Sequence, residues 1–488
     1  MKPSNVGRAK SPQQKRACPL NARRTRLDPN PTTEDPNSQQ RPDDSTQPVL
    51  DWWSVKGDVK LPAKVAELRR KLYLKAKQEP KFRFYALYDR IFRRDVLVAA
   101  WWIVLAKNKS PGIDGVTCQD IQDAPGGVAG YLDDIHEALR TKTYRPDRVK
   151  RTYIEKPDGR LRPLGIPTMR DRIVQTAATL ILESIFEADF LDSSYGFRPE
   201  RSAQDAIRAI QGHLQQGYRA VYDADLKGYF DTIPHDKLML ALQMRIADRA
   251  VLQLIRHWLE CEMVETDEDG KTHISHPRQG TPQGGVISPL LSNVYLHWFE
   301  VAFHKQSGPA QFAKARIVRY ADDFVVLARF QGQRLQDWLL QTLEGRFGLT
   351  INREKTKTLD LNQPGNSLDF LGYTFRYDRD LQGRGHRYLN IFPSRKAMAR
   401  ARDRIRTLTR SERCFMPVVS MITDINRWQV GWTNYFRYGY PRAAFRAIHA
   451  YTVERLTTHL RRRSQRAYRP PVGKSYYAHV HDLGLRRP

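Results

Sequence analysis

The sequence predicts an α/β protein that ends in a basic, helical extension. Two acid-bearing strand-like segments, long helical stretches around them and a change of composition near residue 380 point to that class. Residues 219–226 (RAVYDADL) alternate side chains with the period of a strand. Residues 315–328 (ARIVRYADDFVVLA) hold two β-rich segments, Arg316–Tyr320 and Phe324–Leu327, around Ala321-Asp322-Asp323, the pattern of a hairpin with acids at its tip. From Arg395 onward 21 Lys and Arg stand against 5 Asp and Glu, in mostly helical sequence.

A chain of 488 residues accommodates two or three domains with cores of their own. Its net charge of +28 repels itself unless a polyanion neutralises it, so nucleic acid is the natural partner. The competing uses of such charge are solubility and anionic lipid, yet no basic amphipathic helix with a Trp-rich apolar face stands out. No run of 18 apolar residues occurs, which speaks against a membrane span. Cys18, Cys118, Cys261 and Cys414 are far apart and form no CxxC pair, which disfavours a structural zinc or a disulfide framework. The N-terminal segment lacks the apolar stretch of a secretory signal, and its acids argue against an organelle transit peptide. The expected location is the bacterial cytoplasm, at the nucleoid when DNA is bound.

Along the chain, residues 1–48 are polar and Pro-rich and are expected to be disordered. Residues 49–380 form the expected main body, and residues 381–488 a separate helical domain. Helical periodicity runs over 65–76, 82–105, 170–187 and 203–216. Residues 107–117 form a turn-rich loop. Residues 152–167 read as a hairpin turning at Pro157-Asp158-Gly159.

The chemistry rests on carboxylates. Two adjacent acids between apolar strands repel one another, and a divalent cation would remove that cost. A polar turn is the competing reading of Asp322-Asp323. A second acid segment at 219–226 strengthens the metal reading. An Asp at the end of that strand would meet the hairpin tip, and carboxylates from both could bridge two Mg²⁺ ions suited to phosphoryl transfer. By pattern alone Asp223, Asp225 and Asp231 compete for that place.

Three motifs then carry a resemblance. Tyr320-Ala321-Asp322-Asp323 resembles the YxDD box of reverse transcriptases. Residues 225–231 (DLKGYFD) resemble their first-aspartate motif, which selects Asp225. Residues 280–285 (GTPQGG) with 288–293 (SPLLSN) resemble their PQG…SPLLxN segment. In combination, over about residues 100–465, the chain resembles the reverse transcriptase/maturase proteins encoded by group II introns. The resemblance implies a right-hand polymerase fold: fingers, a palm with a small antiparallel sheet backed by helices, and a helical thumb. It implies RNA-directed DNA synthesis with two Mg²⁺ held by Asp225, Asp322 and Asp323. Phe230 would exclude a 2′-hydroxyl, and Lys156 and Arg162 would hold the incoming dNTP. Gln283 and Gly284 would touch the nascent pair, and Lys355 would assist proton transfer to pyrophosphate. Phe370-Leu371-Gly372-Tyr373 resembles the primer-gripping hairpin. Residues 170–175 (RDRIVQ) and Tyr195-Gly196-Phe197-Arg198-Pro199 resemble fingers and palm signatures. Arg198 is open to either a template phosphate or a loop-stabilising acid. Ser110–Gly115 resembles a lid over the template.

The C-terminal segment resembles the thumb and maturase domain, which implies binding of structured group II intron RNA and help with its splicing and mobility. Arg400, Arg404, Arg427 and the run Arg461-Arg462-Arg463 are the candidate RNA contacts. Trp428 and Trp432, four apart, are expected in a core. The Cys and His clusters of a zinc nuclease domain are absent from the sequence, so no nuclease is expected; a homodimer is compatible with the resemblance. The alternatives are an RNA-dependent RNA polymerase, which typically has a polar residue in place of Phe230; a non-polymerising splicing factor; and a domesticated intron-like enzyme of repair or defence.

Overall fold

The computed structural model describes residues 52–107, 110–155, 161–267, 269–330, 332–380, 385–466 and 468–487. The polar segment 1–48, Lys156 and the turn 157–159 lie outside the described residues.

The central sheet has four antiparallel strands in the order Lys357–Asp360, Ala220–Ala224, Asp323–Ala328, Arg316–Tyr320. The expected hairpin forms, with Tyr320 paired to Asp323 and Ala321-Asp322 as its turn. Its second strand is apolar at every position after Asp323 because it is buried on both faces. Phe324, Val326 and Ala328 join one core, together with Tyr222 and Ala224. Val325 and Leu327 join a second core, together with Val221 and Val318. Side chains alternate along a strand, so Asp223 and Asp323 project toward the second-core side.

The first core is closed by Met169–Phe186 and Ser288–His304, helices buried nearly all round. Thr168 caps the first of them, accepting a hydrogen bond from the Asp171 N–H. A second four-stranded sheet forms the fingers, in the order Leu161–Ile166, Val149–Glu155, Met263–Thr266, Thr272–Ser275. The hairpin of its last two strands was not singled out from the sequence. The run 82–105, expected as one helix, is broken. Only Tyr88–Ile91 and Arg94–Lys107 are helical, and Phe84 bridges to Ile246. Buried Arg245 gathers the carbonyls of Ala76, Glu79, Pro80 and Phe82 and so closes the end of the preceding helix, Ala63–Gln78.

A third sheet, Leu368–Phe370, Tyr373–Arg379 and Arg387–Pro393, packs on the second core. The expected domain boundary at 380/381 falls between two of its strands. The chain is therefore not yet helical at 387–393, where Leu389, Ile391 and Pro393 alternate inward. Helices follow at Arg395–Leu408, Val418–Phe436, Arg442–Arg462 and Tyr476–Asp482. The first buries Ala397, Ala401, Ile405 and Leu408 at helical spacing and turns its arginines outward. Trp428 and Trp432 stack at 6.2 Å between these helices, as expected for core residues.

Candidate active site

Asp225 follows the Ala220–Ala224 strand and is cradled by the loop after Thr350. The Asn352 N–H donates to the Asp225 carbonyl at 2.8 Å, and Asn352 Nδ2 donates to Oδ2 at 2.8 Å. Lys355 Nζ lies 3.3 Å from the same oxygen. Asn352 is a supporting residue that the sequence reading missed. Its signal was weak, since it is one Asn in a turn.

Asp322 sits in the hairpin turn and Asp323 opens the following strand. Burial, incompletely offset by Arg162 and Arg319, pushes the Asp322 carboxyl up. Asp323 opens onto the cleft, yet its carboxyl is pushed up to about 7. The poorly hydrated walls act first, then repulsion from Asp322, Asp225 and Asp223. Asp223 is pushed up to about 6, chiefly by burial. These shifts share burial as their first cause, and the neighbouring carboxylates add to it. Asp231 stands apart from this group and accepts a hydrogen bond from Gln283 Nε2 at 2.8 Å.

The donor set fits a hard divalent cation. Among the described residues no three His, Cys, Asp or Glu side chains close into a ready-made cage. Carboxylate oxygens are the donors that a hard cation such as Mg²⁺ takes, with water and substrate phosphate completing its shell.

The hairpin turn rests on a buried network. The carbonyl of Ala321, a residue at φ 59°, accepts from Arg319 Nη1 at 2.9 Å. Arg319 also reaches Asn293 Oδ1, Ser194 Oγ and Glu300 Oε2. Gly196 lies so close that a Cβ there would fall 2.3 Å from Ala321 N.

The turn opens on a cleft of about 860 Å³ lined by Asp322, Asp323, Phe230, Arg162, Gln283 and Leu371. Phe230 is held by its carbonyl, which accepts from the Thr281 N–H at 2.6 Å. Arg162 Nε donates to Gln283 Oε1 at 2.8 Å, joining fingers to palm. Gly284, at φ 112°, could not carry a Cβ, which would lie 2.4 Å from Gly165 O. Its close approach is thus to the fingers strand itself. Lys156 lies outside the described residues.

The residues of the 370–373 hairpin divide. Phe370 and Tyr373 are buried in the second core, whereas Leu371 lines the cleft. Leu371 and Gly372 form a two-residue turn with φ 48° and 82°. Tyr435 Oη donates to the Leu371 carbonyl and ties the turn to the Val418–Phe436 helix. Arg198 is resolved in favour of its structural use: it is buried and forks onto Glu187 and the carbonyls of Leu191 and Ser194.

Among the C-terminal arginines, Arg400, Arg404 and Arg462 are exposed. Arg427 is exposed beside Asp424, at 3.8 Å. Arg461 lies 4.7 Å over the Tyr476 ring. Arg463 differs from the expectation of a free RNA contact, because it donates to the carbonyls of Cys414 and Met416 and braces a loop.

A sheet whose hairpin turn sets Asp322 and Asp323 in a fingers-bounded cleft, with Asp225 at the end of the adjoining strand, is that of a palm-type nucleic-acid polymerase. Residues 154–375 match the family described as reverse transcriptase (RNA-dependent DNA polymerase), and residues 398–477 match the group II intron maturase-specific domain. Protein YkfC of Escherichia coli K12 is 34% identical over 371 residues, covering 68% of this chain and 93% of that protein. Group II intron-encoded protein LtrA of Lactococcus lactis subsp. cremoris is 30% identical over 359 residues, covering 61% of this chain. The chain spans 57% of the length of LtrA. The chain belongs to the group II intron-encoded reverse transcriptase/maturase family. No helix among the described residues is long and apolar enough to cross a membrane.

Proposed function

We propose that the protein copies RNA into DNA at Asp225, Asp322 and Asp323, with residues 49–380 as polymerase and 381–488 as thumb and maturase. The observation that carries this reading is that Asp322 and Asp323 line one cleft with Phe230, while the charge of Asp225 bears on both. When bound, two Mg²⁺ ions would supply charge to activate a primer hydroxyl and to stabilise the departing pyrophosphate.

The chain's own groups do the rest. Asp225, Asp322 and Asp323 would hold the cations, and Asn352 Nδ2 orients Asp225 by donating to its Oδ2. Arg162 receives the triphosphate, leaving its resting bond to Gln283. The Phe230 ring blocks the space of a ribose 2′-hydroxyl. Lys355, 3.3 Å from Asp225 Oδ2, would give a proton to pyrophosphate. Leu371 and its turn present the primer.

The exposed guanidiniums of Arg400, Arg404, Arg427, Arg461 and Arg462 suit the phosphates of a folded group II intron RNA. Through them the polymerase is coupled to splicing and retromobility of that intron. Primer extension on an RNA template tests the polymerase, and intron RNA binding by the double variant Asp322→Ala, Asp323→Ala tests the division of labour. That variant is expected to lose DNA synthesis and keep RNA affinity. Loss of both would refute the division.

A further inference from the structure

The segment Tyr195–Pro199 holds a residue to which the polymerase reading gives no task. Phe197 adopts φ 58°. A bulky side chain in the left-handed region is an outlier, since Cβ crowds the following carbonyl. Phe197 is 53% exposed, so burial does not offset the strain. The same residue lines the cleft with Phe230, Asp322 and Leu371.

Its neighbours hold it there. The Gly196 carbonyl accepts from Asn293 Nδ2 at 2.8 Å, and its α-carbon lies against Ala321. On the other side Arg198 is clamped by Glu187 and backbone carbonyls. Gly or Asn would serve such a turn with less strain. The free fold therefore gains from Phe197 neither relaxed backbone nor full burial. Strain retained at a cleft points to use in the bound state.

We infer that the Phe197 ring stacks on the base of the primer's 3′-terminal nucleotide. This rests on the polymerase reading. The attacking 3′-hydroxyl must sit at the acids, and Phe197 is one residue from the glycine that abuts their turn. Arg162 and Ile154, also lining the cleft, belong instead to the fingers hairpin that receives the incoming nucleotide. Stacking is tolerant of base identity, as a copying enzyme requires.

The test uses the full chain, the variants Phe197→Asn and Phe197→Trp, and a DNA primer on an RNA template. The primer's 3′-terminal nucleotide is normal or abasic, and a third duplex carries the abasic site in the template opposite. Binding is read without dNTPs, and thermal midpoints are read alongside. Phe197→Asn is expected to keep or raise the midpoint and to bind the normal duplex about tenfold more weakly. Removing the primer base should weaken wild-type binding but add little to the Asn variant, the signature of coupled partners. Phe197→Trp should restore binding. Normal affinity of the Asn variant, coupling to the template base only, or a midpoint that falls with affinity would each overturn the assignment. A folded wild type that extends no primer removes the polymerase reading as well. Normal extension with no coupling removes this inference alone.

Discussion

Arg319 and Glu300 form an ion pair of 2.7 Å, with both side chains shut off from solvent, beneath the turn that carries Asp322. Glu300 also accepts from Ser193 Oγ at 2.8 Å, and Arg319 holds Asn293 and Ser194. Segments distant in sequence are thereby fixed to one guanidinium. The pair is costly to desolvate, and removing one partner leaves a buried charge alone.

Glu300→Gln is therefore expected to destabilise the protein by about 3–5 kcal/mol, with DNA synthesis falling alongside. Denaturant unfolding measures the first quantity. A change below about 1 kcal/mol would show that the network is not what supports the turn.

Phe230→Val should leave the fold intact and raise ribonucleotide use relative to deoxyribonucleotide use by about 10–100-fold, as a steric filter of this size allows. Single-nucleotide incorporation measures the ratio. An unchanged ratio would make Phe230 a core residue only.

The raised carboxyl of Asp323, about 7, sets a pH dependence with a definite sign. In the metal-free protein the folded value lies above the unfolded one. The group's penalty is fully present above the folded value and is relieved as pH falls through it toward the ordinary carboxylate range. Metal-free protein should thus lose stability from this group as pH rises toward 8. Mg²⁺ needs the carboxylate, so its affinity should drop by up to about tenfold per pH unit below 7. Calorimetric titration of Mg²⁺ at pH 6 and 8 checks this. Equal affinities would contradict it.

The arginine run 461–463 should divide by function. Arg461→Ala and Arg462→Ala should weaken intron RNA binding and reduce the salt slope by about one for each phosphate that is no longer neutralised. Arg463→Ala should instead lower thermal stability, because the Cys414 and Met416 carbonyls would be left without their donor. An Arg463 variant with normal stability and a reduced slope would reverse that assignment.

The hairpin around Asp322 and Asp323 was legible because adjacent carboxylates between apolar strands are a local pattern, whereas pattern left Asp225 level with Asp223 and Asp231 and only the resemblance of residues 225–231 selected it. What supports the acids was not legible. Asn352 meets Asp225 across 127 residues of chain, and nothing in a turn sequence announces that encounter, whereas Lys355 was expected at the site through the resemblance alone. Long basic side chains misled most. Arg463, expected as an RNA contact, and Arg198, open to a template phosphate or an acid, both direct their guanidiniums at carbonyls that a loop leaves unpaired. The strand Arg387–Pro393 was read as helical because the basic composition around it hid an alternation of only three inward residues.

The central claim is that Asp225, Asp322 and Asp323 make a working polymerase site. The most direct measurement is primer extension on an RNA template with dNTPs and Mg²⁺, comparing the wild type with Asp322→Ala, Asp323→Ala at matched thermal stability and RNA affinity. The expected result is extension by the wild type alone. Extension by both proteins, or by neither when the wild type is folded and RNA-bound, would contradict the claim.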